Sequence, residues 1–395
     1  MSAKILLAQP AGGEGLPLYE LLRTQGYLVL TAATLSEAAD RIGESPALAL
    51  LDRSLADLEG PEAWEKLSRE CRKADICCLE LASSGHTAGN FLPAESGVPG
   101  TITMPAEASE ILAKIDSQLT IRRLSYELEL VHARLRKQQL ETLENRRSAS
   151  LIQRSLLPDR FPKVDSFRFA WRFLPWEQVG GDLFNVLQLD EDTVMAYLFD
   201  VSGHGIPAAM VTVSIYQSLS LHTGDIVKKS LKAPPYYDVP SPGNVLHELD
   251  LEYPFERFGK FFTISYMLLD AVTGTVRYSN AGHPPPILVR AGGAQEILAA
   301  GGSIVGLGEL VPFEEGRVSL DPGDRLYLYS DGITEFRDAG GELFGQQRLL
   351  QELGRQGKRP LDAACEKVFD SLDAFGKGSR QSDDMTLLAI EYLGR

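Results

Sequence analysis

Cysteine is scarce in this chain of 395 residues, and the few copies show no metal-binding spacing. The four are Cys71, Cys77, Cys78 and Cys365. Three of them fall in or beside apolar runs, which indicates buried free thiols in a reducing environment rather than disulfides or a zinc site.

Long apolar runs and positive charge are also missing. No apolar stretch is long enough to cross a bilayer, and the segment Met1–Ala8 lacks the apolar core of a signal peptide. We therefore expect a cytoplasmic protein that does not enter a membrane. The net charge of −15 disfavours a nucleic-acid-binding function.

The N-terminal part of the chain has an α/β pattern. Residues 1–116 alternate short apolar strands with amphipathic segments, which predicts a doubly wound parallel sheet. The pattern resembles a response-regulator receiver domain, with Asp52 at the position of the phospho-acceptor. However, Gln9-Pro10 stand where receivers have an acidic pair, and Met104 stands where they have a lysine. The resemblance therefore implies a degenerate receiver with a vestigial Asp52, used for dimerisation or partner docking.

Residues 117–157 predict a long helix, because neither Gly nor Pro interrupts them before Pro158. A four-three-four spacing typical of a coiled-coil seam is formed by Leu124, Leu128, Val131 and Leu135. A homodimer joined through this linker helix is the favoured interpretation. A helix packed on its own domain is the alternative.

The C-terminal segment carries carboxylates at the borders of apolar runs. Residues 195–199 predict a buried strand that Asp200 follows, and the residues before Asp182, Val179 among them, predict the end of another. With a polar turn at 190–192 between them, the two strands are expected to form a hairpin in which Asp182 and Asp200 meet. Close carboxylates repel each other unless a cation lies between them.

Two more acidic positions border apolar runs further downstream, Asp331 and the pair Asp383-Asp384. Counting these, the chain has carboxylates at four strand ends, and such oxygen ligands suit hard cations such as magnesium or manganese. Taken singly, each aspartate is also an ordinary turn former.

Five motifs follow one another along the chain: Gly180-Gly181-Asp182, Asp200-Val201-Ser202-Gly203-His204-Gly205, Asn280-Ala281-Gly282-His283-Pro284, Ser330-Asp331-Gly332 and Asp383-Asp384-Met385-Thr386. In this order they closely resemble the SpoIIE-type branch of the PPM (metal-dependent, type 2C) serine/threonine phosphatases. The likeness runs from about Ser148 onwards, and we expect domains at 1–116, 117–157 and 158–395. It implies an α+β domain, an αββα sandwich whose cleft holds two divalent ions, Mn²⁺ or Mg²⁺.

The resemblance implies a ligand set for these two ions. The implied ligands are oxygen atoms of Asp182, Asp200, Val201, Asp331 and Asp383. Asp200 is implied to bridge both ions, and Val201 to contribute its backbone carbonyl.

The remaining roles follow from the same resemblance. Asp331 and Asp383 are implied to hold the first ion, and Asp182 to reach the second directly or through water. Asp384 is implied to support its neighbour without touching metal. His204 has two open interpretations, as a proton donor to the leaving alkoxide or as a loop-packing residue.

These features predict a metal-dependent phosphatase that hydrolyses phosphoserine or phosphothreonine on a partner protein. The family implies that this partner is a phosphorylated STAS-domain anti-sigma-factor antagonist in a partner-switching pathway. Two alternatives are a noncatalytic signalling adaptor that keeps the phosphatase fold, and a response regulator gated by phosphorylation of Asp52.

We expect Asp52 to stay unlabelled when the protein is incubated with acetyl phosphate or a cognate kinase. Phosphoryl transfer to a carboxylate needs a divalent cation, and Gln9-Pro10 offers that cation no acidic ligand. Met104 also cannot donate a hydrogen bond to the product. Mass spectrometry of Asp52 and the phosphatase activity of Asp52→Ala check this. Activity should stay within a few-fold of the parent, whereas labelling of Asp52 with a matching change in activity would overturn the prediction.

Overall fold

The computed structural model describes residues 3–11, 15–83, 100–158, 160–176, 180–203, 205–221, 226–232, 236–308 and 310–394, with only the backbone at residues 15, 16 and 146. The chain forms two compact units, residues 1–139 and residues 140–395. In the described part of the chain, no helix combines the length and the apolar composition needed to cross a bilayer.

The N-terminal unit is built on a sheet of parallel strands. These are β1 (Lys4–Ala8), β2 (Leu28–Ala32), β3 (Leu48–Asp52), β4 (Cys77–Ser83) and β5 (Thr101–Met104). Their order across the sheet is β2-β1-β3-β4-β5. The helices are α1 (Gly15–Thr24), α2 (Leu35–Ile42), α3 (Ser54–Glu59), α4 (Pro61–Lys73) and α5 (Ala108–Leu156), of which α5 follows β5.

Both faces of this sheet are buried, because alternate residues of a strand point to opposite sides. Leu6 of β1 belongs to an apolar cluster with Trp64 of α4. Its neighbour Ile5 belongs to a second cluster with Leu22 of α1 and Ile111 of α5. Helices on both faces explain why the strands are almost continuously apolar.

Helix α5 is 49 residues long and continuous. Beyond its buried first turns, Leu124, Leu128, Val131 and Leu135 are each about half exposed in the single chain. A row of apolar side chains left in water favours association with another surface.

The strands of the C-terminal unit are, in chain order, β6 (Phe167–Leu174), β7 (Asp182–Gln188), β8 (Thr193–Val201), β9 (Lys229–Ser230), β10 (Tyr237–Asp238), β11 (Phe262–Asp270), β12 (Thr275–Ala281), β13 (Ile287–Val289), β14 (Gln295–Ile297), β15 (Gly301–Gly302), β16 (Gly316–Ser319), β17 (Arg325–Tyr329) and β18 (Met385–Tyr392). The helices are α6 (Ile206–Ser218), α7 (Pro242–Glu252), α8 (Phe255–Phe258), α9 (Asp331–Thr334), α10 (Gly345–Arg355) and α11 (Leu361–Gly376).

Strands β9 and β10 pair only with each other, and the remaining strands form two sheets that face each other. The first has the order β15-β12-β11-β8-β7, with β16 beside β12, and the second has the order β14-β13-β17-β18-β6. Phe184 and Leu198 of the first sheet share a buried cluster with Leu326 and Leu388 of the second. Helices α6 and α7 cover the outer face of the first sheet, and α10 and α11 cover that of the second. The predicted αββα sandwich is therefore confirmed.

Strand β7 begins at Asp182, so the prediction that Asp182 ends a strand is wrong. Gly180-Gly181 lie just ahead of the strand, and Val179 lies outside the described residues. The apolar run follows Asp182 instead of preceding it. The predicted hairpin nevertheless forms around residues 190–192, and it pairs Asp182 with Asp200.

Candidate metal centre

Asp182 and Asp200 face each other at the open end of the β7–β8 hairpin. They are directly paired across the antiparallel strands, and Thr263 of β11 pairs with Asp200 on the other side. Asp182 is only 2% exposed and Asp200 is half-buried, so neither carboxylate is fully hydrated. Two charges in this position need protons, hydrogen-bond donors or a cation beside them.

Asp331 and Asp383 come from adjacent strand ends of the second sheet. Asp331 opens the short helix α9 just after β17, and Asp383 stands two residues before β18. Strands β17 and β18 are antiparallel neighbours, so the end of one lies beside the start of the other. Ser330 joins the two segments, since its backbone N–H donates to the carbonyl of Thr386 at 3.0 Å.

Burial and neighbouring charges raise the pKa of three of these carboxylates. Burial, followed by the charges of Asp331 and Asp383, raises the pKa of Asp200 to about 8. Burial and the charge of Asp383 raise the pKa of Asp331 to about 6. Burial, with the charge of Asp200, raises the pKa of Asp182 well above its usual range. The charges of the second sheet therefore act on Asp200 of the first, and the charge of Asp200 acts on Asp182.

Oxygen atoms converge beside Gly181. A Cβ atom added at Gly181 would lie 2.3 Å from a carboxylate oxygen of Asp200 and 2.5 Å from the carbonyl oxygen of Val201. Only glycine leaves this space open. The Val201 carbonyl, an expected ligand, thus lies next to the Asp200 carboxylate.

A divalent cation fits this set of donors. Among the described residues, no group of three or more His, Cys, Asp or Glu side chains is arranged to hold an ion by itself. Magnesium, however, usually keeps several waters and binds through one or two carboxylates, and manganese accepts the same oxygen ligands. A cation would also relieve the repulsion among Asp200, Asp331 and Asp383.

Hydrogen bonds hold Asp182 and Asp384 in place. The hydroxyl of Thr386 donates to the carboxylate of Asp182 at 2.5 Å. The carboxylate of Asp384 accepts from the backbone N–H groups of Trp176 at 2.9 Å and Asp182 at 3.4 Å. Asp384 therefore holds the chain just ahead of β7, in keeping with a supporting position.

His283 is placed to orient a strand residue. Its Nδ1 atom and the hydroxyl of Thr263 are 2.8 Å apart, and Thr263 is the strand partner of Asp200. Burial lowers the pKa of His283 to about 3, so the ring is neutral at neutral pH. The other histidine of interest, His204, lies outside the described residues.

Asp52 belongs to the N-terminal unit, where it makes local contacts. Its carboxylate accepts from the backbone N–H of Ser54 at 2.9 Å and from the hydroxyl of the same residue at 2.6 Å. Beside it, Arg53 forms an ion pair with the buried Glu80 at 2.6 Å. Asp52 therefore stabilises the start of α3.

Three polar residues beside the site do not stand out in the sequence as part of it. Lys260 donates from its ammonium group to the carbonyl of Ser202 at 2.8 Å, which puts a positive charge on the loop that follows Asp200. Thr386 donates to the carboxylate of Asp182, and Gln153 forms two hydrogen bonds with the backbone of Gly180. All three contacts join segments that are distant in the sequence, so spacing and periodicity do not predict them, although Thr386 itself belongs to the fifth motif.

The chain matches a family model and several characterised proteins. The family model, described as stage II sporulation protein E (SpoIIE), matches residues 190–393. Protein IcfG of Synechocystis sp. is 25% identical over 257 residues, which is 60% of this chain and 40% of IcfG. Phosphoserine phosphatase RsbP of Bacillus subtilis is 28% identical over 219 residues, which is 54% of this chain and 49% of RsbP. The chain thus spans half or less of the length of these two relatives.

One solved structure with a similar fold is the SiaA-PP2C domain of Pseudomonas aeruginosa. The two superpose with a TM-score of 0.53 at 21% identity, over 64% of this chain and 98% of that domain. At this level of identity the likeness supports the shared sandwich fold alone.

Without a divalent ion, the protein should lose stability as the pH rises from about 4 to about 8. The ordinary aspartate pKa is 3.8, so above that pH the unfolded chain has released protons that folded Asp331 holds up to about pH 6 and folded Asp200 holds up to about pH 8. Their contribution to stability is complete at low pH and is lost as the pH passes the folded pKa of each, about 6 and about 8. Thermal unfolding in EDTA across this range measures the loss.

Asp200→Asn is the matched variant, because the amide keeps the shape of the side chain and does not ionise. Its unfolding temperature should fall less with rising pH than that of the parent. Added Mn²⁺ should flatten the profile of the parent. A parent with the same pH profile as Asp200→Asn would exclude a raised pKa at this position.

Proposed function

The chain belongs to the SpoIIE family, whose model matches more than half of its residues, and on that premise we propose that it is a metal-dependent protein phosphatase. Its substrate is phosphoserine or phosphothreonine on a partner protein. The observation that carries the proposal is the set of carboxylates at one edge of the sandwich. Asp331 and Asp383 of the second sheet raise the pKa of Asp200 of the first.

The proposed ligands of two Mn²⁺ or Mg²⁺ ions are Asp182, Asp200, Val201, Asp331 and Asp383. Such a pair of ions, when bound, supplies a water nucleophile at neutral pH and neutralises charge on the phosphoryl oxygens. The protein's own part is to hold the oxygen ligands. Thr386 orients Asp182, and Lys260 holds the loop after Asp200.

A covalent mechanism through cysteine is disfavoured. Cys365 is the only cysteine of the C-terminal unit, and it is fully buried. Burial raises its pKa to about 12, so it is not a thiolate at neutral pH. Since the thiolate is the nucleophilic form, direct attack by water on the phosphoryl group is the better proposal.

The proposed partner is a phosphorylated STAS-domain anti-sigma-factor antagonist in a partner-switching pathway. The order of the five motifs supports this choice. The similarity to RsbP, named as a phosphoserine phosphatase, supports phosphoserine as the group removed.

We propose the domains 1–116, 117–157 and 158–395, with a degenerate receiver-like domain first, a coiled-coil linker next and the phosphatase domain last. The strand order β2-β1-β3-β4-β5 supports the receiver-like fold, since doubly wound proteins of the flavodoxin type share it. Gln9-Pro10 and Met104, which stand where receivers have an acidic pair and a lysine, support the degenerate assignment.

The protein is expected to hydrolyse an aryl phosphate such as p-nitrophenyl phosphate in Mn²⁺, and to lose this activity in EDTA. The reason is that the site offers oxygen ligands and no reactive thiolate. Release of nitrophenol, and of phosphate from a phosphoserine peptide, measures the rate. Full turnover in EDTA would exclude the metal mechanism. No turnover of either substrate in Mn²⁺ would favour the adaptor.

Asp200→Asn should lower turnover by more than the roughly 10–100-fold typical of residues that only support a ligand. Asp192→Asn is the control, because it makes the same chemical change at the exposed turn of the same hairpin. Its rate should equal that of the parent. A folded Asp200→Asn with the parent's rate at saturating Mn²⁺ would remove Asp200 from the site.

Glutamate at both Leu128 and Val131 should weaken a dimer and change phosphatase activity together. Both side chains are about half exposed in the single chain, so the change should spare the fold of the chain itself. Leu130→Glu is the control, since this residue is equally exposed on α5 but lies off the seam. Sedimentation at micromolar concentration measures association, and a monomeric parent would rule out the coiled coil.

A further inference from the structure

Lys260 lies between α8 and β11, at the edge of the first sheet that carries the carboxylates. Strand β11 begins at Phe262, the partner of Val201, so Lys260 stands just beyond the end of the paired strands. Its side chain is half-buried. Its ammonium group donates to the carbonyl of Ser202 at 2.8 Å, which fixes the lysine beside the loop that follows Asp200.

The backbone of this loop separates Lys260 from the proposed metal ligands. The N–H of Val201 donates to the carbonyl of Gly181 at 3.3 Å, so Val201 faces β7 and the open space at Gly181. The N–H of Ser202 donates instead to the carbonyl of Phe261 at 2.9 Å, so Ser202 faces the segment that contains Lys260. The ammonium group therefore lies one residue outside the proposed ligand set, on the rim of the site.

Gly203 leaves room for the ammonium group. A Cβ atom added at Gly203 would lie 2.8 Å from the Nζ atom of Lys260, closer than real side chains pack. The nitrogen thus rests against the backbone of two successive residues, Ser202 and Gly203. A cation held in this way is preorganised to bind an anion, because little of its side-chain freedom remains to be lost.

In the described part of the chain, no Asp or Glu forms an ion pair with Lys260. Other cations of the C-terminal unit do have such partners, since Lys229 pairs with Glu248 at 2.9 Å and Arg290 with Asp324 at 2.8 Å. The Ser202 carbonyl accepts from one of the three N–H groups of the ammonium. A half-buried cation in this state attracts an anion from another molecule.

Exposed apolar side chains border the same segment. Phe255 is 42% exposed, and its ring centroid is 6.4 Å from that of Phe261, the neighbour of Lys260 in the sequence. The N–H of Phe255 donates to the carbonyl of Gly306 at 2.9 Å, and the next residue, Leu307, is also exposed. A cation bordered by aromatic and aliphatic surface suits a segment of a partner protein better than a free small ion.

We propose that Lys260 is a specificity-determining residue that binds an acidic side chain beside the phosphoserine of the partner protein. Because Lys260 lies outside the proposed ligand set, the side chain that it meets belongs to a residue flanking the phosphoserine. The inference rests on the proposed function, since it takes the site to act on a phosphoprotein. It adds to that function a preference for Asp or Glu next to the phosphoserine.

The physical reason lies in the charge of the protein. The chain carries a net charge of −15, and the proposed site is itself lined by carboxylates. Such a field repels an acidic segment except where a cation faces it. Lys260 supplies that cation at the rim, and a half-buried ion pair is screened by salt less than an exposed one.

Two phosphoserine peptides test the proposal, one with aspartate on both sides of the phosphoserine and the other with asparagine. In Mn²⁺, the kcat/KM of the parent should be about fivefold higher for the aspartate peptide, as a single partly exposed ion pair allows. The difference should lie in KM, because the ion pair binds the ground state and the transition state alike. Release of phosphate measures both constants.

Lys260→Gln should abolish the preference, since glutamine can still donate to the carbonyl of Ser202 but carries no charge. Lys260→Glu should reverse it. The ratio of the two kcat/KM values is the readout, because a displaced loop would lower both values alike. Lys228→Gln is the matched control and should keep the parent's ratio. Lys228 is also half-buried and donates to a backbone carbonyl, that of Leu189 at 2.6 Å, at the other end of the β7–β8 hairpin.

The outcomes separate this inference from the proposed function. A parent that hydrolyses neither peptide in Mn²⁺ would overturn the proposed function and this inference with it. A parent that hydrolyses both peptides with the same kcat/KM would overturn this inference alone. A folded Lys260→Gln that keeps the parent's ratio would do the same, since that result is expected if Lys260 only holds the loop or contacts the phosphoryl group itself.

Discussion

The repulsion between buried carboxylates at one edge of the sandwich is the constraint that explains most of the site. Asp182 and Asp200 are paired across a hairpin, and Asp331 and Asp383 add charge from the second sheet. Burial deprives Asp182, Asp200 and Asp331 of the water that would screen them, and together with neighbouring charges it raises the pKa of each. Such a cluster is stable when protons or a cation balance it. This requirement connects the fold to metal chemistry.

The surrounding residues divide the carboxylates into two groups. Thr386 donates to Asp182, and two backbone N–H groups donate to Asp384, so both are held by the protein itself. Glycine makes this packing feasible, because a side chain at Gly180 or Gly181 would collide with Asp384 or Asp200. The Gly-Gly-Asp motif thus has a steric explanation. An oxygen of Asp200 instead lies beside the open space at Gly181, where it is available to coordinate an ion.

The sequence predicts what depends on local pattern and misses what depends on distant contacts. The sandwich and the hairpin that pairs Asp182 with Asp200 follow from motif order and a short polar turn. The start of β7 was mispredicted, because an apolar residue and two glycines ahead of Asp182 imitate a strand end. Strand β6 and helix α11 were not predicted. The contacts of Gln153 and Lys260 join segments far apart in the chain, and no periodicity reveals them.

We propose that the carboxylates of the two sheets hold divalent ions together. Anomalous diffraction from crystals grown with Mn²⁺ tests it most directly, since manganese is located independently of any assumed ligand. Manganese is expected within about 2.0–2.3 Å of oxygens of Asp200 and of Asp331 or Asp383. Manganese bound elsewhere, with these carboxylates free of metal in the same crystal, would contradict it.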